Sequence, residues 1–260
     1  MKNNLLKIDP EQEKDRIVHF LKTTFEKQKI TKTVIGISGG IDSAVSFALL
    51  KKVLKPEDII VVHLYYFESK FSEMEKFARN SKIPQENIYH ISIKEPVDAV
   101  IELQKIEKTE ADKVRIGNIS ARMRMILLFD LAKKHNALVC GTENKSENLL
   151  GYFTRFGDQA SDIEPIEHLY KTQVYKLAEY LKIPQAIIKQ EPSAGLWHGQ
   201  TDEGQFGFTY EEADQVLYLH FEKEMSVQKI KELGLSNAQK ILDWHTQNLF
   251  KHQTPYAIKK

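Results

Sequence analysis

The amino-acid sequence predicts an α/β fold: an open parallel sheet with helices on both faces and a helical C-terminal part. Three observations carry this reading. The apolar run Thr33-Val34-Ile35-Gly36-Ile37 leads through Ser38-Gly39-Gly40-Ile41-Asp42-Ser43 into an apolar helical stretch at 44–54, giving strand, loop and helix. A β-branched run at 59–66 follows the breaker Pro56-Glu57-Asp58 and has the length and content of a buried strand. Strands then alternate with helices, which requires parallel pairing and right-handed crossovers.

Asp9-Pro10-Glu11 is a helix start, with an N-cap acid and proline at the first helical position. Ile17, Val18, Leu21 and Phe25 share one face of that helix. After the second strand come a helix near 69–81, a short strand at 87–93 and a helix near 96–105. Residues 111–135 read as a helix despite Gly117, because Ile119, Met123, Ile126, Leu127 and Leu131 recur at helical spacing. Residues 137–140 form the next strand, and 153–162 a polar loop. Helices are expected at 170–181 and, from Pro184, at 183–190. Residues 192–207 carry four glycines and no periodicity, so a functional lid is expected there, with Trp197 and His198 as its packing. Thr209-Tyr210-Glu211-Glu212 has the pattern of a capping box that opens a helix to about residue 223. Two more helices, divided at Gly234, end near Phe250.

Composition excludes several classes. With 37 Lys and Arg against 36 Asp and Glu, no basic excess suggests a nucleic-acid footprint. No apolar run reaches the roughly 20 residues of a membrane helix, and the N-terminus is too polar for a signal peptide, so a cytoplasmic protein is expected. Cys140 is the single cysteine and reads as a small buried hydrophobe.

The chemistry begins at SGGIDS. A glycine-rich loop opening a helix turns backbone N–H groups toward an anion, with phosphate the obvious guest. The lysine of a Walker loop is missing. Asp42 beside a phosphate implies an intervening cation, magnesium. Thr142-Glu143-Asn144-Lys145-Ser146-Glu147 places a second acidic loop after a strand. It reads either as a capped helix start or, with Glu147 paired to Asp42, as the rest of a magnesium site. If the two strands are neighbours at the switch point, both loops flank one crevice.

SGGIDS resembles the pyrophosphate loop of the ATP pyrophosphatases, of the adenine nucleotide alpha hydrolase-like fold. Gly117-Asn118-Ile119-Ser120-Ala121-Arg122-Met123-Arg124-Met125, GTENKSE from Gly141, Gly151-Tyr152-Phe153-Thr154-Arg155-Phe156-Gly157-Asp158 and Pro192-Ser193-Ala194-Gly195-Leu196 add the order and spacing of the ammonia-dependent NAD synthetases. The resemblance implies a single synthetase domain over 1–260 without a glutaminase domain. It also implies ATP-dependent amidation of deamido-NAD by ammonia through an adenylate, with magnesium as cofactor, and a homodimer with the 111–135 helix as interface.

Carried over by position, Gly36, Ile37, Ser38, Gly39, Gly40, Ile41, Asp42, Ser43, Thr142, Lys171 and Ser193 are implied to contact ATP. Asp42 and Glu147 are implied as metal ligands, and Arg122, Arg155, Asp162 and Lys251 as holding deamido-NAD. Asp42, Glu147, Lys171 and Asp162 form the implied catalytic set, while Asp162 and Glu164 stand as alternatives for deprotonating ammonium. Arg155 replaces a common lysine, Ser193 a common threonine and Phe250 a histidine of some relatives; Gln159-Ala160-Ser161 replaces a glycine-richer segment. From the residues alone, Arg122 and Arg124 also fit a solvated helix face, Arg155 a surface charge, and Lys251 a solvated tail. A tRNA-modifying ATP pyrophosphatase and a nucleotide-binding sensor share the first loop but do not need the later motifs.

Overall fold

A computed structural model of the chain describes residues 5–67, 72–197, 199–253 and 255–258. His198 and the first positions of the helix expected from 69 lie outside the described residues. Four parallel strands, β1 (Lys32–Gly36), β2 (Ile59–Tyr65), β3 (Ile88–Ser92) and β4 (Ala137–Cys140), form one sheet in the order β3-β2-β1-β4. Thr33 stands opposite Ile59 on one side of β1 and opposite Leu138 on the other. The chain thus winds outward from β1 to β3 and returns to the far side of β1, which puts the switch point between β1 and β4. Open sheets bind ligands there, beyond the carboxyl ends of the strands.

Strand alternation sends neighbouring residues to opposite faces. Ile35, Ile59 and Val61 face a core built with α1 (Pro10–Gln28), α2 (Ile41–Leu50) and α3 (Ser72–Asn80), through Leu21, Phe47 and Met74 among others. Val34, Ile60, Val62 and Val139 face a second core with α4 (Lys94–Leu103) and α5 (Lys113–His135), through Val97, Ile101 and Leu131. Helices therefore cover both faces, as expected. After β4 come α6 (Lys145–Leu150), α7 (Lys171–Tyr180), α8 (Gln185–Ile188), α9 (Asp202–Phe206), α10 (Tyr210–Phe221), α11 (Val227–Glu232) and α12 (Ala238–Asn248). Leu150, Tyr170, Phe206, Val216, Leu217, Ile230 and Ile241 build a third core from these elements, the helical C-terminal part. Among the described residues no helix is long and apolar enough to cross a membrane.

Local chemistry accounts for the boundaries. Asp9 Oδ1 accepts from the N–H groups of Glu11 and Gln12, so the α1 start follows its expected cap. Gly40, in extended conformation, is the N-cap of α2, which begins three residues earlier than expected at 44 and stops at Leu50. The segment expected to lack regular structure contains α9, because Thr201 Oγ1 accepts the Gly204 N–H and starts a helical turn. Only half of the expected capping box forms at α10. Thr209 Oγ1 accepts the Glu212 N–H, but the Glu212 carboxylate turns to α12 and accepts from Asn237 N at 3.0 Å and Nδ2 at 2.7 Å.

Candidate active site

The two loops expected to share a crevice do so. A cavity of about 700 Å³ opens at the carboxyl ends of β1 and β4 and is lined by Gly36, Ile37, Ser38, Gly40, Ile41, Asp42 and Ser43 from the first loop and Thr142 and Glu147 from the second. Lys171, Ser193 and Lys251 also line it. Gly39 reaches φ +96°, a left-handed value that glycine adopts freely, while Gly40 stays extended. Ser38 Oγ accepts the Gly40 N–H at 3.2 Å and Ser43 Oγ donates to the Gly40 carbonyl at 3.0 Å, which folds the loop on itself. No side chain caps α2, so its first peptide groups present the positive end of a ten-residue helix to the cavity.

The first reading of the second loop, a capped helix start, is what the structure shows. Asn144 and Glu147 form a reciprocal capping box at α6, and Asn144 Nδ2 also donates to Asp42 Oδ1 at 2.9 Å, tying the two loops across the switch point. The Lys171 ammonium lies 2.5 Å from Asp42 Oδ2 and 3.0 Å from Glu147 Oε1. Burial alone would lower the Lys171 pKa, but the Asp42 and Glu147 carboxylates raise it above its ordinary value and keep it charged. The two acids supply hard oxygen donors of the kind magnesium takes, and the space between them suits a cation, since an ammonium occupies it. The described residues hold no cluster of three or more His, Cys, Asp or Glu fit for a metal, so such an ion would draw its remaining ligands from phosphate and water.

Three of the residues expected to hold deamido-NAD lie outside the cavity lining. Arg122 is exposed and its guanidinium donates to the Arg155 carbonyl at 3.3 and 3.2 Å. The Arg155 guanidinium rests 5.5 Å from the Phe156 ring and 5.7 Å from that of Phe250. Asp162 Oδ2 accepts the Val139 N–H at 2.8 Å, and a parallel bridge joins Cys140 to Ile163, so this acid covers the outer edge of β4. Its alternative, Glu164, accepts from Glu143 N at 3.1 Å and Ser161 Oγ at 2.7 Å, and burial pushes its pKa up to about 8. The Lys251 ammonium donates to the carbonyls of Gly151 at 2.6 Å and Phe153 at 3.1 Å, which docks the tail against the cavity. Cys140 is buried, and burial pushes its thiol well up, which suits a packing residue.

Several cavity residues were not expected in the site from the sequence. Arg124, two positions after Arg122 and so on the other side of α5, lines the cavity and donates to the Leu64 carbonyl at 3.2 Å. Asp202, 3% exposed, accepts from Ala194 N at 3.1 Å and from the Tyr210 hydroxyl at 3.0 Å, fastening the 192–200 segment over the site. Gln200 donates to Tyr152 and Gln205 at 3.2 Å each. The signal for Arg124 is its spacing with Gly117, Ala121 and Leu128 on α5, while α9 hid Asp202 in a glycine-rich stretch.

Residues 13–255 match the family model described as NAD synthase. The chain belongs to the NAD synthase family. It is 38% identical to the NH(3)-dependent NAD(+) synthetase of Fusobacterium nucleatum over 98% of both chains. It is also 38% identical to that of Thermoplasma acidophilum, over 96% of this chain and 98% of the other. The structure resembles the NMN synthetase from Francisella tularensis with a TM-score of 0.82 at 32% identity, covering 98% of this chain and 100% of that one. It also resembles the NH3-dependent NAD synthetase from Campylobacter jejuni, solved in complex with the nitrate ion, with a TM-score of 0.79 at 29% identity, covering 97% and 100%. Membership of the NAD synthase family makes the chain a ligase that forms a C–N bond, and ATP is its co-substrate.

Proposed function

We propose that the end of the cavity formed by Asp42, Glu147 and Lys171 handles the triphosphate of ATP, and that the wall containing Lys251 receives the nicotinate end of deamido-NAD. The reaction is the ATP-dependent amidation of deamido-NAD with ammonia. The carboxylate attacks the α phosphorus, a C–O–P linkage forms, and the bond to pyrophosphate breaks. Ammonia then attacks the carbonyl carbon, AMP leaves, and one proton is lost from nitrogen. No protein nucleophile is needed. Holding the two reactants in line is worth roughly 7 to 11 kcal/mol in well-oriented systems. Magnesium held by Asp42 and Glu147 would neutralise charge on the phosphate oxygens. The uncapped start of α2 and the Lys171 ammonium oppose the same charge. The observation that carries this reading is the convergence of Lys171 and Asn144 on Asp42 at the switch point.

The likeness to NH(3)-dependent relatives over nearly their whole length favours free ammonia as the nitrogen source. Arg122 and Arg155 beside the half-exposed Phe156 and Phe250 fit a dinucleotide site completed by a second copy of the chain, and exposed Val114 and Ile126 on α5 offer that copy an apolar face. We place the enzyme in the cytoplasm. A second acceptor also has support. The likeness to an NMN synthetase favours acceptance of the deamido form of NMN as well.

One assay tests these readings. The protein is incubated with ATP, magnesium, ammonium and either deamido-NAD or deamido-NMN, and the amidated nucleotide, AMP and pyrophosphate are measured. Amidation with deamido-NAD is expected, and no acceptor-dependent pyrophosphate would sink the reading. The ratio of kcat/KM for the two acceptors decides the second. Glutamine in place of ammonium is expected to serve poorly, and sedimentation at several concentrations reads the dimer.

A further inference from the structure

Asp214 stands on α10, 0% exposed, and does not line the cavity. Its carboxylate nevertheless reaches the two helices that carry Glu147 and Lys171. Oδ1 accepts the hydroxyl of Ser146, the residue before Glu147. Oδ2 accepts the N–H of Thr172, the residue after Lys171, at 2.8 Å. Ser146 Oγ, itself fully buried, accepts the Lys171 N–H at 2.8 Å and so closes the link between α6 and α7. The first two N–H groups of α7 thus find acceptors in Ser146 and Asp214, at a helix end that would otherwise leave them unpaired.

The arrangement answers a conflict in the sequence. A lysine at the first position of a helix faces the positive end of the helix dipole. The Asp214 carboxylate at that end offsets the dipole from inside the protein, while Asp42 and Glu147 offset the ammonium from the cavity side. Stability alone is a poor reason for the arrangement. A fully buried carboxylate costs more than an apolar side chain of similar size.

We propose that Asp214 is a positioning residue that, through Ser146 and the Thr172 N–H, sets the spacing of Glu147 and Lys171 and so shapes the phosphate end of the ATP site. The proposal rests on the reading of that end as the triphosphate site. Removing the link leaves the acceptor-binding wall unaltered and loosens only the phosphate end.

The test uses the full chain and the variants Asp214→Asn and Ser146→Ala, with Glu212→Gln as a control. Glu212 is on the same helix but is bonded to Asn237, away from the cavity. Affinity for magnesium-ATP is measured by calorimetry without acceptor, alongside KM for ATP and for deamido-NAD and the Tm. The Asp214 and Ser146 variants are expected to lose at least about tenfold in ATP affinity while KM for deamido-NAD stays within about twofold. Glu212→Gln is expected to lower Tm without moving ATP affinity. Unchanged ATP affinity in both variants would overturn the proposal. So would a parallel loss of affinity for both substrates that tracks Tm. Ser146→Ala removes one hydroxyl, so it decides the matter if Asp214→Asn fails to fold. The calorimetric arm keeps its meaning even if wild-type protein makes no NAD, an outcome that would instead remove the functional reading.

Discussion

Lys171 Nζ lies 2.5 Å from Asp42 Oδ2, joining residues 129 apart in sequence at the mouth of the switch point. The ammonium also bridges to Glu147 at 3.0 Å, with its side chain 3% exposed and those of the acids 15% and 17%. Lys171→Met leaves two largely buried carboxylates facing each other without a countercharge. Breaking such a buried pair costs roughly 3 to 5 kcal/mol, so a lowered Tm is expected along with lost pyrophosphate release. Asp42→Asn and Glu147→Gln keep the shape and lose the charge. A drop in kcat of about 100-fold or more is expected for each, with the far-ultraviolet circular dichroism unchanged. Turnover close to wild type at saturating magnesium would remove the cation assignment.

Gly117 explains how the 192–200 segment seats. A Cβ at that position would stand 2.9 Å from Leu196 Cδ1 and 3.0 Å from Leu196 Cβ, inside contact distance. The segment is otherwise held by Leu196 N on Gln200 Oε1 at 2.8 Å and Ser193 Oγ on the Gln200 carbonyl at 2.7 Å. Gly117→Val forces the segment off α5, with an overpacking cost of roughly 1 to 3 kcal/mol. The adenylate then meets water more often. More than one pyrophosphate per amidated product is expected, a ratio read by measuring both in the same reaction. A ratio equal to wild type would show that the segment does not shield the intermediate.

What the sequence disclosed divides by range. SGGIDS and TENKSE were legible because each is a local strand end with its own turn and cap chemistry. Their convergence was conditional, since only the pairing of β1 with β4 decides which strand ends adjoin. Arg122 and Arg124 looked equivalent on a helix, and tertiary contact separates them: one guanidinium meets the Arg155 carbonyl, the other lines the cavity. Asp162 was placed at the substrate by the family resemblance alone, and nothing local reveals that its carboxylate meets Val139, 23 positions earlier. Lys171 was expected at ATP, but nothing local shows what offsets a cation at the start of α7. The acid beside the helix start, Asp214, bonds Thr172 from 42 residues away.

The Glu212 carboxylate gives a prediction about the helical C-terminal part. It accepts both the backbone N–H and the side-chain amide of Asn237, at the start of α12, instead of returning to Thr209. Glu212→Ala therefore removes a tie between helices rather than half of a local cap. A loss of roughly 1.5 to 3 kcal/mol is expected, the range for hydrogen bonds to a charged group. Asn237→Ala should cost a similar amount. Because both remove one interaction, the double variant should fall short of the sum by more than about 0.5 kcal/mol in denaturant unfolding. Strict additivity would refute the tie.

Glu143 gives the protein a pH dependence of its own. The residue is 8% exposed and Oε1 is a buried atom without a hydrogen-bond partner. Burial, with Glu164 nearby, pushes its pKa up to about 9. Its pKa is thus above that of the unfolded chain, so between the two values the folded state binds the extra proton. Stability falls as pH rises through that window, from about 4.5 to about 9, at up to about 1.4 kcal/mol per pH unit from this group. Glu143→Gln keeps the neutral form at every pH. The variant should match wild type near pH 5 and exceed it in Tm by a margin that widens toward pH 9. Parallel Tm profiles for the two proteins would mean that Glu143 titrates alike folded and unfolded.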